Sequence, residues 1–165
     1  MLASTLSCSY GIYGPAFELM AHVPRPGSEE YIDNEKYELK AWDLDHPETL
    51  APVIARVNEI RRAEPALQVN RTLRFHHVDN EQLLCFSKRA EDGASAVLVV
   101  VNLDPRTTQS GWTALDLEAL GLPHDAAFEV TDLMTGASYG WRGAHNFVSL
   151  DPAAFPAHLF SIGRK

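Results

Sequence analysis

From Glu29 to Asp43 the chain reads EEYIDNEKYELKAWD, which sets carboxylates, an amide, two ammonium groups and three flat rings close together. Such a mixture suits a sugar, which offers hydroxyls in the plane of its ring and C–H groups on its two faces. Acid–base chemistry fits less well. A general acid near neutral pH needs a carboxyl whose pKa is raised by burial or a close like charge, and neighbouring acids on an exposed loop stay ionised. Glu29, Glu30, Asp33, Glu35 and Glu38 are therefore expected to fasten the loop through Arg25, Lys36 and Lys40.

Other chemistry-bearing residues divide between a site reading and a packing reading. His76 and His77 are adjacent in a β-like run, so they point to opposite faces and cannot chelate one ion. No cysteine pair has metal-site spacing, and no metal or cofactor is expected. Cys8 and Cys85 read as buried free thiols of a reducing compartment. Trp42 either stacks on a sugar or anchors the helix that follows it. Tyr13 either floors a pocket or is buried. Trp112, Trp141, Tyr139 and Phe147 either form a glucan-binding platform or belong to the core. His158 reads as a buried, hydrogen-bonded residue.

The elements that must position these groups fall into two parts. Leu2 to Leu6 and Ser9 to Tyr13 read as strand, ended by Gly14-Pro15. Leu50, Val53, Ile54, Val57 and Ile60 follow the polar loop at helical spacing, with Asp45 or Thr49 as N-cap and Glu64-Pro65 as the stop. Strand, polar loop and helix make one βα unit. After Leu67 come short β-like runs at 73–77, 82–88, 96–102, 113–117, 128–133, 138–142, 147–150 and 158–162, separated by Gly, Pro, Asn and Asp turn signals. Residues 115–122 carry a single helical turn as the alternative. Val97 to Val101 is apolar throughout, as expected of a central strand covered on both faces. The fold class is mainly β: an antiparallel β-sandwich at 69–165 preceded by one βα unit at 1–68.

Composition narrows the partners. Of 165 residues, 45% are hydrophobic and 22% charged, which suits a soluble globular protein of one domain, or of one domain with an appendage. A net charge of −8 with scattered basic residues argues against nucleic acid. No run is long enough to cross a membrane, and Leu2 to Cys8 lacks the basic start of a secretion signal, so a cytoplasmic protein is expected.

Five phrases then carry a resemblance. Tyr10-Gly11-Ile12-Tyr13-Gly14-Pro15 with Glu18, and Ile60-Arg61-Arg62 with Pro65-Ala66-Leu67, resemble the last strand and helix of the (β/α)8 barrel in the α-amylase superfamily. Pro26-Gly27-Ser28-Glu29-Glu30-Tyr31 with Glu35-Lys36-Tyr37-Glu38, then Phe86-Ser87-Lys88, are narrower. So is the long run from Asp132-Leu133 through Thr135-Gly136, Tyr139, Trp141, Gly143, Asn146, Val148 and Leu150-Asp151-Pro152 to Pro156-Ala157-His158. Together these are similar to the C-terminal end of the α-1,4-glucan:maltose-1-phosphate maltosyltransferases.

The resemblance implies a retaining transfer of maltosyl units from maltose 1-phosphate to an α-glucan. That chemistry needs an Asp nucleophile and a Glu acid/base about 5–5.5 Å apart, with a second Asp on the sugar hydroxyls. In the family those residues lie on barrel strands that come before the stretch matched here, so no catalytic residue is assigned to this chain. The resemblance places Lys36 and Tyr37 beside the donor pocket, Lys36 donating to maltosyl hydroxyls and Tyr37 forming a wall. It also implies that the isolated chain is inactive, and that the apolar sides of its βα unit seek the missing barrel or a second copy. A free-standing carbohydrate-binding or interface module is the alternative, as is a piece of another superfamily hydrolase.

Overall fold

The computed structural model describes residues 1–36 and 38–163, and these form two compact units. One joins Met1–Tyr10 to Glu59–Lys165 and contains the sheet; the other is Gly11–Asn58. Helices α1 (Leu2–Leu6), α2 (Gly14–Glu18) and α3 (Ala51–Ala63) and a 3-10 turn (Pro65–Gln68) precede eight strands. The strands are β1 (Arg74–Val78), β2 (Leu83–Arg89), β3 (Ala96–Asn102), β4 (Gln109–Ala114), β5 (Ala127–Asp132), β6 (Ser138–Arg142), β7 (Phe147–Leu150) and β8 (Ala157–Gly163).

All strand pairs are antiparallel, in the order β6-β5-β8-β3-β2-β1-β4-β7. The expected sandwich is thus one eight-stranded sheet that folds over itself. Val148 and Leu150 of β7, at one end of the order, share a core with Phe128 and Val130 of β5 and Phe160 of β8, near the other end. Leu98 and Val100 of β3 face that core, while Val97, Val99 and Val101 face a second one. The second core is closed by Ile60, Ala66 and Leu67, with Leu2 and Leu6 against it. Every residue of β3 is buried, as its unbroken apolar run requires.

The strand expected at Leu2–Leu6 is helix α1. Ser4 Oγ and Thr5 Oγ1 both donate to the Met1 carbonyl, which closes a turn locally. Arg61 then takes the carbonyls at the helix end: its guanidinium donates to Ser4, to Ser7 at 3.1 Å and to Cys8 at 2.9 Å, and covers the Tyr10 ring at 4.8 Å. Ser9–Tyr13 forms no strand either. A strand needs a neighbouring strand for its N–H and C=O groups; here the Ser9 N–H donates to Ser7 Oγ, and the Ile12 and Tyr13 carbonyls accept from Gly14 and Phe17 in the turn that follows. Cys8 is half-buried, whereas Cys85 is buried and both are free. The strand expected at 113–117 runs earlier, because Leu115, Leu117 and Leu120 turn inward from the helical-turn alternative at 115–122.

The rest of the secondary structure follows the sequence pattern. Thr49 Oγ1 accepts the Ala51 N–H at the start of α3, Pro52 occupies its first turn, and Pro65 opens the 3-10 turn beyond it. Buried Lys88 sends its ammonium group to the Leu6 carbonyl at 3.3 Å and Asn70 Oδ1 at 3.4 Å. Asn70 Oδ1 also accepts the Cys8 N–H at 2.7 Å. Phe86-Ser87-Lys88 therefore works structurally: Phe86 in the core, Ser87 on His76, and Lys88 on the N-terminal segment.

Candidate functional site

Within Gly11–Asn58 the polar stretch begins as a narrow hairpin. Pro24 bridges Tyr31, the Ile32 N–H donates to Val23, and the Arg25 N–H donates to Glu30. The chain then winds round Asn34, whose amide donates to Glu30 Oε2 at 3.3 Å and whose oxygen accepts the Lys36 N–H at 3.1 Å. Lys36 Nζ lies 3.1 Å from Glu30 Oε1, with most of the lysine side chain exposed. Tyr37 lies outside the described residues.

Glu35 is the centre of the loop. Its carboxylate accepts hydrogen bonds from the Tyr31 hydroxyl and from the Tyr13 hydroxyl at 3.5 Å, and the Trp42 side chain also favours its ionised form. Tyr13 and Trp42, separate candidates in the sequence, are thus gathered with Tyr31 around one carboxylate. Lys40 Nζ lies over the Trp42 ring at 5.6 Å. The Tyr31 hydrogen bond above all holds Glu35 below the usual carboxylate range, and Lys36 does the same for Glu30. The Tyr31 hydroxyl is pushed up to about 12 by the same bond to Glu35. Acids held ionised in this way fasten the loop and have no proton to deliver near neutral pH. The clustering round Glu35 was hidden because Tyr13 lies 22 residues before it and the loop between Glu35 and Trp42 has no regular period. Only Tyr31, four residues before Glu35, had a readable spacing.

The histidine geometry follows the alternation of β1. His76 is buried between Ser87 Oγ, 2.8 Å from Nε2, and the Asp116 N–H, which donates to Nδ1 at 3.0 Å; His77 is exposed. Burial lowers the His76 pKa. No group of His, Cys, Asp and Glu suited to a metal ion occurs among the described residues.

A second cluster lies in the sheet unit. His158 Nδ1 is 3.0 Å from Asp132 Oδ2, its ring stacks on Phe160 at 4.8 Å, and Tyr139 and Trp141 meet Phe160 edge-on. Trp112, Tyr139 and Phe147 are exposed, so the core reading holds for Trp141 in part and not for these three.

Comparison with known proteins places this arrangement. A family model described as "GLGE, C-terminal" matches residues 75–162, just over half of the chain. The alpha-1,4-glucan:maltose-1-phosphate maltosyltransferase of Chlorobaculum tepidum is 48% identical, over 98% of this chain and 25% of its own length. That of Methylacidiphilum infernorum is 46% identical, over 99% and 25%, and that of Corynebacterium glutamicum 46%, over 98% and 24%. The chain spans about a quarter of the length of these curated relatives. In shape it is similar to AmyP, solved as a variant with maltotriose, with a TM-score of 0.53 at 19% identity over 75% of this chain and 23% of that one. It is also similar to an α-amylase from Geobacillus thermoleovorans complexed with acarbose, at 0.50 and 16% over 73% and 24%. At these identities the likeness concerns the fold.

Proposed function

The chain belongs to the GLGE C-terminal family, and from that premise we propose that it is the C-terminal part of an α-1,4-glucan:maltose-1-phosphate maltosyltransferase. The observation that carries this reading is the 46–48% identity to such enzymes along nearly the whole chain. In the long protein, residues 1–68 complete the catalytic barrel and residues 69–165 form the β domain behind it. The reaction moves a maltosyl unit from maltose 1-phosphate to an α-glucan with retention, in α-glucan synthesis in the cytoplasm. Free Cys8 and Cys85 and the negative net charge agree with that setting and with an absence of nucleic-acid partners. No helix among the described residues is long and apolar enough to cross a membrane.

Lys36 and Tyr37 serve the donor, binding its maltosyl hydroxyls rather than reacting. The Lys36 ammonium group is well exposed, and its pair with half-exposed Glu30 is a surface ion pair that water screens and weakens. Sugar hydroxyls can therefore replace that carboxylate at little cost. Glu30 and Glu35 are held ionised, which agrees with a chain whose partner segment supplies the reacting carboxyls.

The test is a phosphate-release assay with maltose 1-phosphate and maltohexaose. The 165-residue chain alone is expected to give no transfer. The long protein is expected to be active, and its Lys36→Ala variant to show KM for maltose 1-phosphate raised about tenfold with kcat less affected. Transfer by the isolated chain would sink the division of labour, and an unchanged KM in the variant would remove Lys36 from the donor site.

A further inference from the structure

We propose that a slot in the β domain, between edge strand β7 and the inner face of β6 and β8, is a second sugar-binding site that holds one glucose ring of an α-1,4-glucan chain. The slot has a volume of about 210 Å3 and is lined by Tyr139, Trp141, Phe147, Ser149, His158 and Phe160. That is smaller than the roughly 300–1,000 Å3 of sites that enclose a drug-sized ligand, so it suits a single ring with the chain continuing outside.

Its chemistry is that of a neutral polyol. No Lys, Arg, Asp or Glu lines it. The Asp132 carboxylate, buried behind His158, takes the Nδ1–H of the imidazole, which leaves Nε2 as an acceptor. Among the described residues the Tyr139 and Ser149 hydroxyls have no hydrogen-bond partner. The lining thus offers one acceptor and two hydroxyls that both donate and accept, which matches sugar hydroxyls that do the same.

The aromatic walls are set before any ligand arrives. Phe160, almost fully buried, is stacked by His158 and met edge-on by Tyr139 at 6.0 Å and Trp141 at 5.3 Å. Rings fixed in this way lose little freedom on binding. At the rim, Phe147 meets Trp112 edge-on at 5.5 Å and continues the aromatic strip along the outside of β4 and β7. Of the five large apolar residues exposed in the sheet unit (Phe75, Leu103, Trp112, Tyr139 and Phe147), three lie on this strip. A core would have buried them.

The larger cleft, about 700 Å3, does not compete as a sugar site. Arg71, Arg74 and Arg89 line it without any aromatic face. Arg89 Nε is buried and unpartnered there, but Glu91, Asp92, Asp116 and Glu118 outnumber the three arginines, so no net positive field draws an anion in.

The choice of an α-glucan rests on the maltosyltransferase reading, whereas the slot itself rests on its own geometry. The test titrates the 15N-labelled chain with maltoheptaose and follows the Trp141 indole resonance, assigned by its loss in Trp141→Phe. A saturable shift with Kd on the order of 1 mM is expected. Tyr139→Ala and Phe147→Ala, both at exposed positions, should weaken it at least about tenfold. Ser149→Val, a conservative change on an edge strand, should abolish it by filling the slot, and Lys36→Ala should leave it unchanged. No saturable shift, or native affinity in the slot variants, overturns the proposal. So does binding lost in Lys36→Ala, which would return the sugar to the loop. Saturation by cellohexaose but not by maltoheptaose would overturn the α-glucan assignment and count against the functional reading as well. Failure of the slot alone leaves the transfer assay of the long protein standing as the separate test of that reading.

Discussion

Asp132 and His76 are buried groups whose protonation the fold controls in one direction. Burial alone would raise the Asp132 pKa. The bonds it accepts from His158, the Met134 N–H and Thr135 Oγ1 outweigh that and hold it below 3.8. Its turn closes through the Gly136 N–H with Gly136 at φ +81°, a conformation that disfavours side chains. For His76, burial lowers the pKa from 6.5. Both folded values lie below the unfolded ones, so in each window the unfolded state binds more protons and stability is lost as pH falls. The His76 contribution is complete above pH 6.5 and is lost as pH drops through its lowered folded value. The Asp132 contribution is complete above pH 3.8 and is lost below it. Urea midpoints measured from pH 8 downward should therefore decline in two stages, and His76→Gln should lack the first. A first stage unchanged in that variant would exclude His76 as its source. Asp132→Asn should lower stability at neutral pH by about 1.5–3 kcal/mol, the scale of hydrogen bonds to a charged group. The role of His76 was half legible: alternation separated it from His77, but nothing in the sequence showed that Ser87 and the Asp116 N–H would satisfy it.

Arg61 shows how one side chain fixes an element. Local bonding from Ser4 and Thr5 forms α1, but the segment reaches the sheet unit because Arg61, Asn70 and Lys88 bind its carbonyls and its Cys8 N–H. Arg61→Ala should cost about 2–4 kcal/mol, since three carbonyls lose a charged donor in a buried setting. Amide exchange of residues 4–8 should rise well above the change seen in the rest of β2 and β3. Uniform loss across the sheet would mean that the clamp is not local. Arg61→Lys should recover only part of the stability, because an ammonium group cannot reach all three acceptors as the planar fork does. The eight strands, by contrast, were legible to within a few residues. Apolar alternation sets which face is buried, and Gly, Pro, Asn and Asp end each run. Ser9–Tyr13 has strand composition without strand structure because composition supplies no neighbour to bond with.

At the scale of the molecule, the Gly11–Asn58 unit exposes Tyr13, Phe17, Met20, Val23, Ile32, Leu39, Leu44 and Val53. So many large apolar side chains in so short a stretch exceed what a monomer usually leaves in water. The chain alone is expected to dimerise or aggregate, with sedimentation coefficients that rise with concentration; a clean monomer at high concentration would show that these side chains need no cover. Joined to the remaining three quarters of a long relative, it should lose that tendency. The sequence by itself determined the mainly β class, the buried central strand, the α3 helix and the family, because periodicity, turn chemistry and long ordered phrases are local properties of the chain. Only the tertiary structure decided that the sandwich is one sheet folded over, that Tyr13, Tyr31 and Trp42 converge on Glu35, and that Tyr139, Phe147 and His158 border one slot. Those meetings are set by strand order, by the path of the loop and by which groups find partners, and apart from the four-residue step from Tyr31 to Glu35 no spacing along the chain encodes them.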